Sequence, residues 1–164
     1  LGDVYKRQIV PHEVNDYYLN YYCSVLEDND FSFKKINQYQ NFNQFEEEYI
    51  IVNKVGFLSK LYAQSTIAYV GGGFSKSGIH NIIEPAAASN PVIFGSNFLN
   101  SNKSDAEGLI DISGGFCVDS YKLFTEKINW LLDKNNYNNS SKNCKSFVTE
   151  NSGSTEKILR ELYE

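Results

Sequence analysis

Three consecutive glycines, Gly71-Gly72-Gly73, stand between the apolar run Ile67-Ala68-Tyr69-Val70 and a segment carrying Gly78, His80, Asn81, Glu84 and Pro85. Glycines in a row let the backbone take positive φ and let a ligand approach where a Cβ would block it. Proline has no amide hydrogen and fits a helix only in its first turn, so Pro85 sets a helix start near His80 to Ile82. The spacing predicts backbone N–H groups and the positive end of a helix beside a glycine loop. Such an anion site is worth up to ~2 kcal/mol for a partly buried charge. Asn81 and Glu84 have the spacing of a variant capping box, with Asn capping and Glu reaching back. At a strand's carboxyl end the same carboxylate could instead accept hydrogen bonds from a ribose diol. A triple glycine also makes plain turns, and a lone histidine is often structural. The order of the residues is what points to a nucleotide.

The elements that must hold this loop alternate between strand and helix. Strands are predicted at Gln8 to Val10, Tyr49 to Val52, Ile67 to Val70, Pro91 to Phe94 and Gly115 to Val118; Phe31 to Tyr39 changes parity and reads as a short strand or a loop. Helices are predicted at Val14 to Leu26, Phe57 to Gln64, Asn81 to Ser89, Ser104 to Ile112, after an Asp119 cap, and over Lys142 to Glu150 and Thr155 to Tyr163. In the first of these, Val14, Tyr18, Tyr22, Val25 and Leu26 share a face. The tyrosines at 17, 18, 21 and 22 would then lie half in the core and half on the surface. Lys134 to Ser141 is Asn-rich and reads as a loop. Strands separated by helices imply an α/β fold, a Rossmann-like parallel sheet with helices on both faces. Such sheets bind ligands beyond the carboxyl ends of their strands, here after Val10, Val52, Val70, Phe94 and Val118.

Composition narrows the function. A 164-residue chain that is 41% apolar and 21% charged is globular material. Its net charge of −5 argues against a nucleic-acid binder, which needs clustered Lys and Arg. No apolar run approaches the ~18 residues of a membrane span. Cys23, Cys117 and Cys144 are scattered and odd in number, which reads as reduced thiols. His12 and His80 are 68 positions apart, so no metal site and no cofactor are expected. Lys60 and Lys76 read as surface lysines able to add positive charge near an anion. The chain starts without Met, and its first strand comes almost at once with nothing to pair against. Residues 1–8 therefore read as a truncated or non-native start.

The run VGGGF…GIHNIIEPAAASNPVIFG resembles the Kdo transferases, which move 3-deoxy-D-manno-octulosonic acid from CMP-Kdo onto the lipid A precursor. Gly56-Phe57-Leu58-Ser59-Lys60-Leu61-Tyr62-Ala63, Pro11-His12-Glu13, Asp105-Ala106-Glu107-Gly108-Leu109-Ile110 and Glu150-Asn151-Ser152-Gly153 resemble further motifs of that family. Asn53-Lys54 stands where the family has Asp-Thr, and Ser96 where it has proline. The resemblance runs from Ile9 to the end and implies the C-terminal, donor-binding half of a GT-B glycosyltransferase over residues 9–164, with the N-terminal acceptor domain missing. It implies that Gly71, Gly72, Gly73 and Gly78 with the amides around His80 and Asn81 hold the donor phosphate, that Glu84 binds the ribose, and that Gly56, Phe57 and Leu58 line the cytosine. His12 and Glu13 would face the donor sugar or the interdomain cleft.

The catalytic carboxylate would lie in the missing half, leaving these residues inactive alone. The implied partners are CMP-Kdo, the lipid A precursor and, peripherally, the cytoplasmic face of the bacterial inner membrane. A UDP-sugar donor and a non-catalytic nucleotide-binding module are the alternatives.

Overall fold

The computed structural model describes residues 6–38, 41, 44–98, 103–153 and 162. The chain divides into two compact units, Leu1–Gln64 and Ser65–Glu164.

In the first unit, β1 (Arg7–Ile9), β2 (Phe33–Ile36) and β3 (Tyr49–Val52) make a parallel sheet in the order β1-β3-β2. Two helices accompany it, α1 (Asp16–Glu27) and α2 (Leu58–Tyr62). The middle strand is the continuous apolar run, and Ile50, Ile51 and Val52 are fully buried. Side chains alternate across a strand. Ile51 packs with Leu19, Cys23 and Leu26 of α1, while Ile50 and Val52 pack with Ile36, Phe45 and Leu61. Asn15 caps α1 by accepting the Tyr18 N–H at 3.0 Å.

Two expectations shift in this unit. The buried stripe of α1 is Leu19, Cys23 and Leu26 rather than the tyrosine face; Tyr18 and Val25 are exposed, and Val14 and Tyr22 pack at the edge. The smaller Leu and Cys side chains take the contact with β3, which leaves the phenols of Tyr17, Tyr18 and Tyr21 in water. The first strand falls one residue early because Arg7 pairs with Tyr49 and donates its N–H to the Glu48 carbonyl at 2.9 Å. Lys6 and Arg7, inside the stretch read as a doubtful start, both engage the unit. The Lys6 ammonium donates to the Phe45 and Glu47 carbonyls at 2.5 and 3.0 Å, and the Arg7 guanidinium lies 5.1 Å from the Tyr49 ring centre.

In the second unit, β4 (Ala68–Val70), β5 (Val92–Gly95) and β6 (Gly115–Val118) are parallel in that order. The helices are α3 (Ile83–Ala87), α4 (Lys103–Asp111), α5 (Tyr121–Leu131) and α6 (Lys134–Asn151). Val92 and Phe94 of the middle strand pack with Ile82, Ala86, Ala106, Leu109 and Cys144; Ile93 packs with Phe116, Val118 and Leu131 on the other face. Helices thus cover both faces of each sheet, the expected Rossmann-like α/β layering. Among the described residues no helix is long and apolar enough to cross a membrane.

The largest correction concerns Lys134 to Ser141, which is not a loop but the first half of α6, continuous with the helix expected at Lys142 to Glu150. Asn is a poor helix former, but here cap and packing override it. Asp133 Oδ1 accepts the N–H groups of Asn135 and Asn136 at 3.0 Å each. The Asn143 amide donates to the Ile112 carbonyl and the Cys144 thiol to the Gly114 carbonyl, tying the helix to the end of α4. Helix α5 is capped by Ser120, whose Oγ accepts the Leu123 N–H, and not by Asp119, because Ser120 holds the extended backbone a cap requires. The helix expected over Thr155 to Tyr163 falls outside the described residues, Leu162 apart.

Three helices end in a way that needs no glycine. Asp30, Ser89 and Ser113 take φ of 56°, 65° and 58°, each followed by an N–H that reaches back to Leu26, Pro85 and Leu109 respectively. These are Schellman turns with a non-glycine in the left-handed position.

Ser140 is 1% exposed, and its hydroxyl has no hydrogen-bond partner among the described residues. A buried hydroxyl left unpaired costs roughly 1–3 kcal/mol. Ser140→Ala is therefore expected to stabilise the protein by about 1 kcal/mol, read as a higher urea midpoint with an unchanged slope. A lower midpoint would mean the hydroxyl has a partner.

Candidate functional site

The glycine loop leaves β4 at its carboxyl end. Gly72 takes φ of +91°, and a Cβ there would strike the Gly78 carbonyl oxygen. Gly73 lies backbone against backbone with Gly95 at the end of β5: a Cβ on Gly73 would sit 2.5 Å from the Gly95 Cα. Glycine is thus required twice, once for conformation and once for close approach. The loop then folds on itself. The Ser75 N–H and Oγ both bond the Gly72 carbonyl, at 3.0 and 2.9 Å, and the Gly78 N–H donates to the Ser75 carbonyl at 3.3 Å. Phe74, Lys76 and Ser77 are exposed around it, while Gly73 and Gly78 are buried.

The far side of the loop carries His80, Asn81 and Glu84, all exposed. Asn81 Oδ1 accepts the N–H groups of Ile83 and Glu84 at 2.9 and 3.3 Å, and its amide donates to Glu84 Oε1 at 3.1 Å. The capping reading is therefore realised, with Glu84 bonded to the Asn81 side chain instead of its backbone. This narrows the expected anion cradle. The His80 N–H donates to the Gly71 carbonyl at 3.3 Å, and the first helical amides belong to Asn81. Helix α3 has only five residues, too short for a sizeable macrodipole. Pro85 does sit in its first turn. Gly72 is partly exposed, and its N–H has no acceptor among the described residues.

The other expected residues belong to the first unit. His12 and Glu13 follow β1, and Gly56, Phe57 and Leu58 follow β3; since the two strands are parallel neighbours, both segments lie at the same end of that sheet. His12 and Glu13 are exposed, and Glu13 Oε2 accepts from the Asn15 amide at 3.2 Å, steadying the cap of α1. Gly56 takes φ of +90° in open space. Phe57 is half-buried beside Leu61 in the core of the first unit, and the Lys54 ammonium stands 6.0 Å from its ring centre. Gly71, Gly72, Gly73, Gly78, His80, Asn81 and Glu84 are brought together in the second unit.

Sequence reasoning missed Gly95 and Asn97. Gly95 provides the contact surface for Gly73, and Asn97 bonds the loop at several points; the only hint was their place at the end of a buried strand. It also passed over Asp28-Asn29-Asp30, which has the D-x-D spacing of a metal-ligand pair. That segment forms the turn ending α1, and among the described residues no group of three His, Cys, Asp or Glu could hold a metal ion. Nucleophile chemistry finds no candidate in Cys144 either: burial pushes its thiol up to about 12, so it stays protonated. Burial, with the Asp119 charge second, also raises Cys117.

Parallel strands covered by helices, with loops at their carboxyl ends, one of them glycine-shaped, define a Rossmann-like α/β class of domain. No family profile matches the chain. It is 36% identical over 89 residues, 54% of its length, to the 3-deoxy-D-manno-octulosonic acid transferase of Chlamydophila psittaci. It is 41% identical over 104 residues, 63% of its length, to that of Aquifex aeolicus. The matches span 20% and 28% of those relatives. In fold it is similar to the crystal structure of the C-terminal CMP-Kdo binding domain of WaaA from Acinetobacter baumannii, with a TM-score of 0.69 at 17% identity over 85% of this chain and 71% of that one. In sequence the chain is thus similar to part of several Kdo transferases, and in fold to the C-terminal domain of one.

Proposed function

We propose that this chain is the donor-binding part of a glycosyltransferase that moves Kdo from CMP-Kdo to the lipid A precursor in lipopolysaccharide synthesis. The observation that carries the reading is the loop at the end of β4, where two glycines that tolerate no Cβ bring an amide and the exposed Glu84 to one strand end. The Gly72 N–H would bond the donor phosphate, and Glu84 would accept from the ribose hydroxyls while Asn81 holds its other oxygen. In the transfer, an acceptor hydroxyl oxygen bonds the anomeric carbon of Kdo as its bond to the CMP phosphate oxygen breaks. The phosphate leaves with the electron pair, and the hydroxyl proton passes to a carboxylate in the acceptor domain, outside these residues. An amide fixed beforehand at the phosphate stabilises the departing charge without reorganising. In this reading the full protein works at the cytoplasmic face of the inner membrane.

Calorimetric titration of the chain with CMP, CMP-Kdo and UDP-sugars tests the reading. Cytidylate binding with no UDP-sugar binding supports it; preference for a UDP-sugar, or no nucleotide binding, overturns it. Glu84→Ala is expected to weaken CMP at least about tenfold, the worth of hydrogen bonds to a charged group. Its circular dichroism and melting temperature should stay close to the parent's. Unchanged CMP affinity would remove Glu84 from the ribose.

A further inference from the structure

Asn97 makes three bonds to the glycine loop from the end of β5. Its N–H donates to the Gly73 carbonyl at 2.9 Å, its carbonyl accepts the Ile79 N–H at 3.2 Å, and its side-chain amide donates to the Ser75 carbonyl. Gly73, Ser75 and Ile79 are the near end, the tip and the far end of the loop. Any residue but proline at position 97 could supply the two main-chain bonds. The third needs a short side chain ending in a donor, and it goes to a carbonyl that also takes the Gly78 N–H. Serine is shorter and aspartate offers no donor, so neither could replace Asn in this bond. Asn97 itself is half-buried, while its bond to Ser75 is exposed, so its worth lies in fixing the loop rather than in satisfying a buried group.

We infer that Asn97 is a positioning residue: its side-chain amide fixes the tip of the glycine loop, and through it the Gly72 and Glu84 ends, in the conformation that receives the donor phosphate. The inference rests on the donor-binding reading for its last step and on loop geometry alone for the first. It acts by pre-organisation, because a loop already held in place does not lose further freedom on binding.

Two variants of the chain separate the steps. In Asn97→Asp a carboxylate faces the Ser75 carbonyl with no proton to donate; in Asn97→His the Nδ1–H stands where the Asn amide N–H stood. Amide hydrogen exchange read by NMR should show the N–H groups of Ser75 and Gly78 exchanging at least about tenfold faster in Asn97→Asp, with β5 and α6 unaffected. CMP affinity should fall about tenfold in the same variant. Asn97→His should recover most of both. Unchanged exchange in Asn97→Asp overturns the inference, as does faster exchange with unchanged CMP affinity. If the parent chain binds no CMP, the donor reading fails by itself. The exchange arm then still decides whether the Asn97 side chain holds the loop.

Discussion

Gly73→Ala is expected to destabilise the protein by about 3 kcal/mol, the upper range for overpacking. A Cβ on Gly73 would meet the Gly95 Cα, N and C at 2.5, 2.6 and 2.7 Å, and all three are main-chain atoms of a middle strand. No rotamer change relieves that contact. The chain must either part β4 from β5 at their ends or swing the glycine loop away, and both destroy the site. Gly95→Ala presses the same contact from the other side, with distances of 2.6 to 2.9 Å to Gly73, so the double variant should cost much less than the sum. The neighbours supply controls. A Cβ on Gly71 meets nothing within 4 Å and its φ is not positive, so Gly71→Ala should fall within about 0.5 kcal/mol of the parent. Gly56→Ala also has open space but carries φ of +90°, which costs about 1–2 kcal/mol. Urea unfolding of the four single variants and the double variant measures the series. Gly73→Ala as stable as Gly71→Ala would show that the loops do not abut.

That series also marks what the amino-acid order reveals and what it hides. Gly71, Gly72 and Gly73 are indistinguishable as letters, yet one is free, one is needed for its φ, and one for close approach to a residue 22 positions away. The strands were legible because Tyr49 to Val52 and Val92 to Phe94 are unbroken apolar runs too short for a helix, as a strand covered on both faces requires. Asn-rich α6 was illegible because its stability is tertiary: Cys144 and Phe147 pack into the core around Phe94, and Asp133 supplies the cap. Local propensity cannot report a partner elsewhere in the chain. The Asn81 and Glu84 pair was legible as two alternatives, and the fold realises the capping bonds while leaving Glu84 exposed. The helix-end anion site, by contrast, assumed a longer helix than α3 proves to be.

Phe94→Ala is expected to cost about 4 kcal/mol, within the range for removing a buried aromatic side chain. Phe94 is fully buried in the middle strand of its sheet and packs edge-to-face on Phe98, with ring centres 5.8 Å apart. Its ring also stands beside Gly115, where an added Cβ would lie 3.1 Å from Cε1, and it shares a cluster with Ala86, Leu109 and Cys144. Those neighbours come from α3, α4 and α6, so no single element can shift to fill the space left behind. Small domains are stable by only about 5–15 kcal/mol, so this one ring carries a large share. Its loss also bears on the site, because Gly95 is the next residue and Asn97 follows. Phe94→Leu, which keeps most of the volume, should cost well under half as much and leave CMP affinity near the parent's. Phe94→Ala should lower the urea midpoint sharply and, in native buffer, weaken CMP as the ends of β4 and β5 loosen. A cost below about 1 kcal/mol would mean that the cavity collapses and that this face is less tightly packed than the buried cluster indicates.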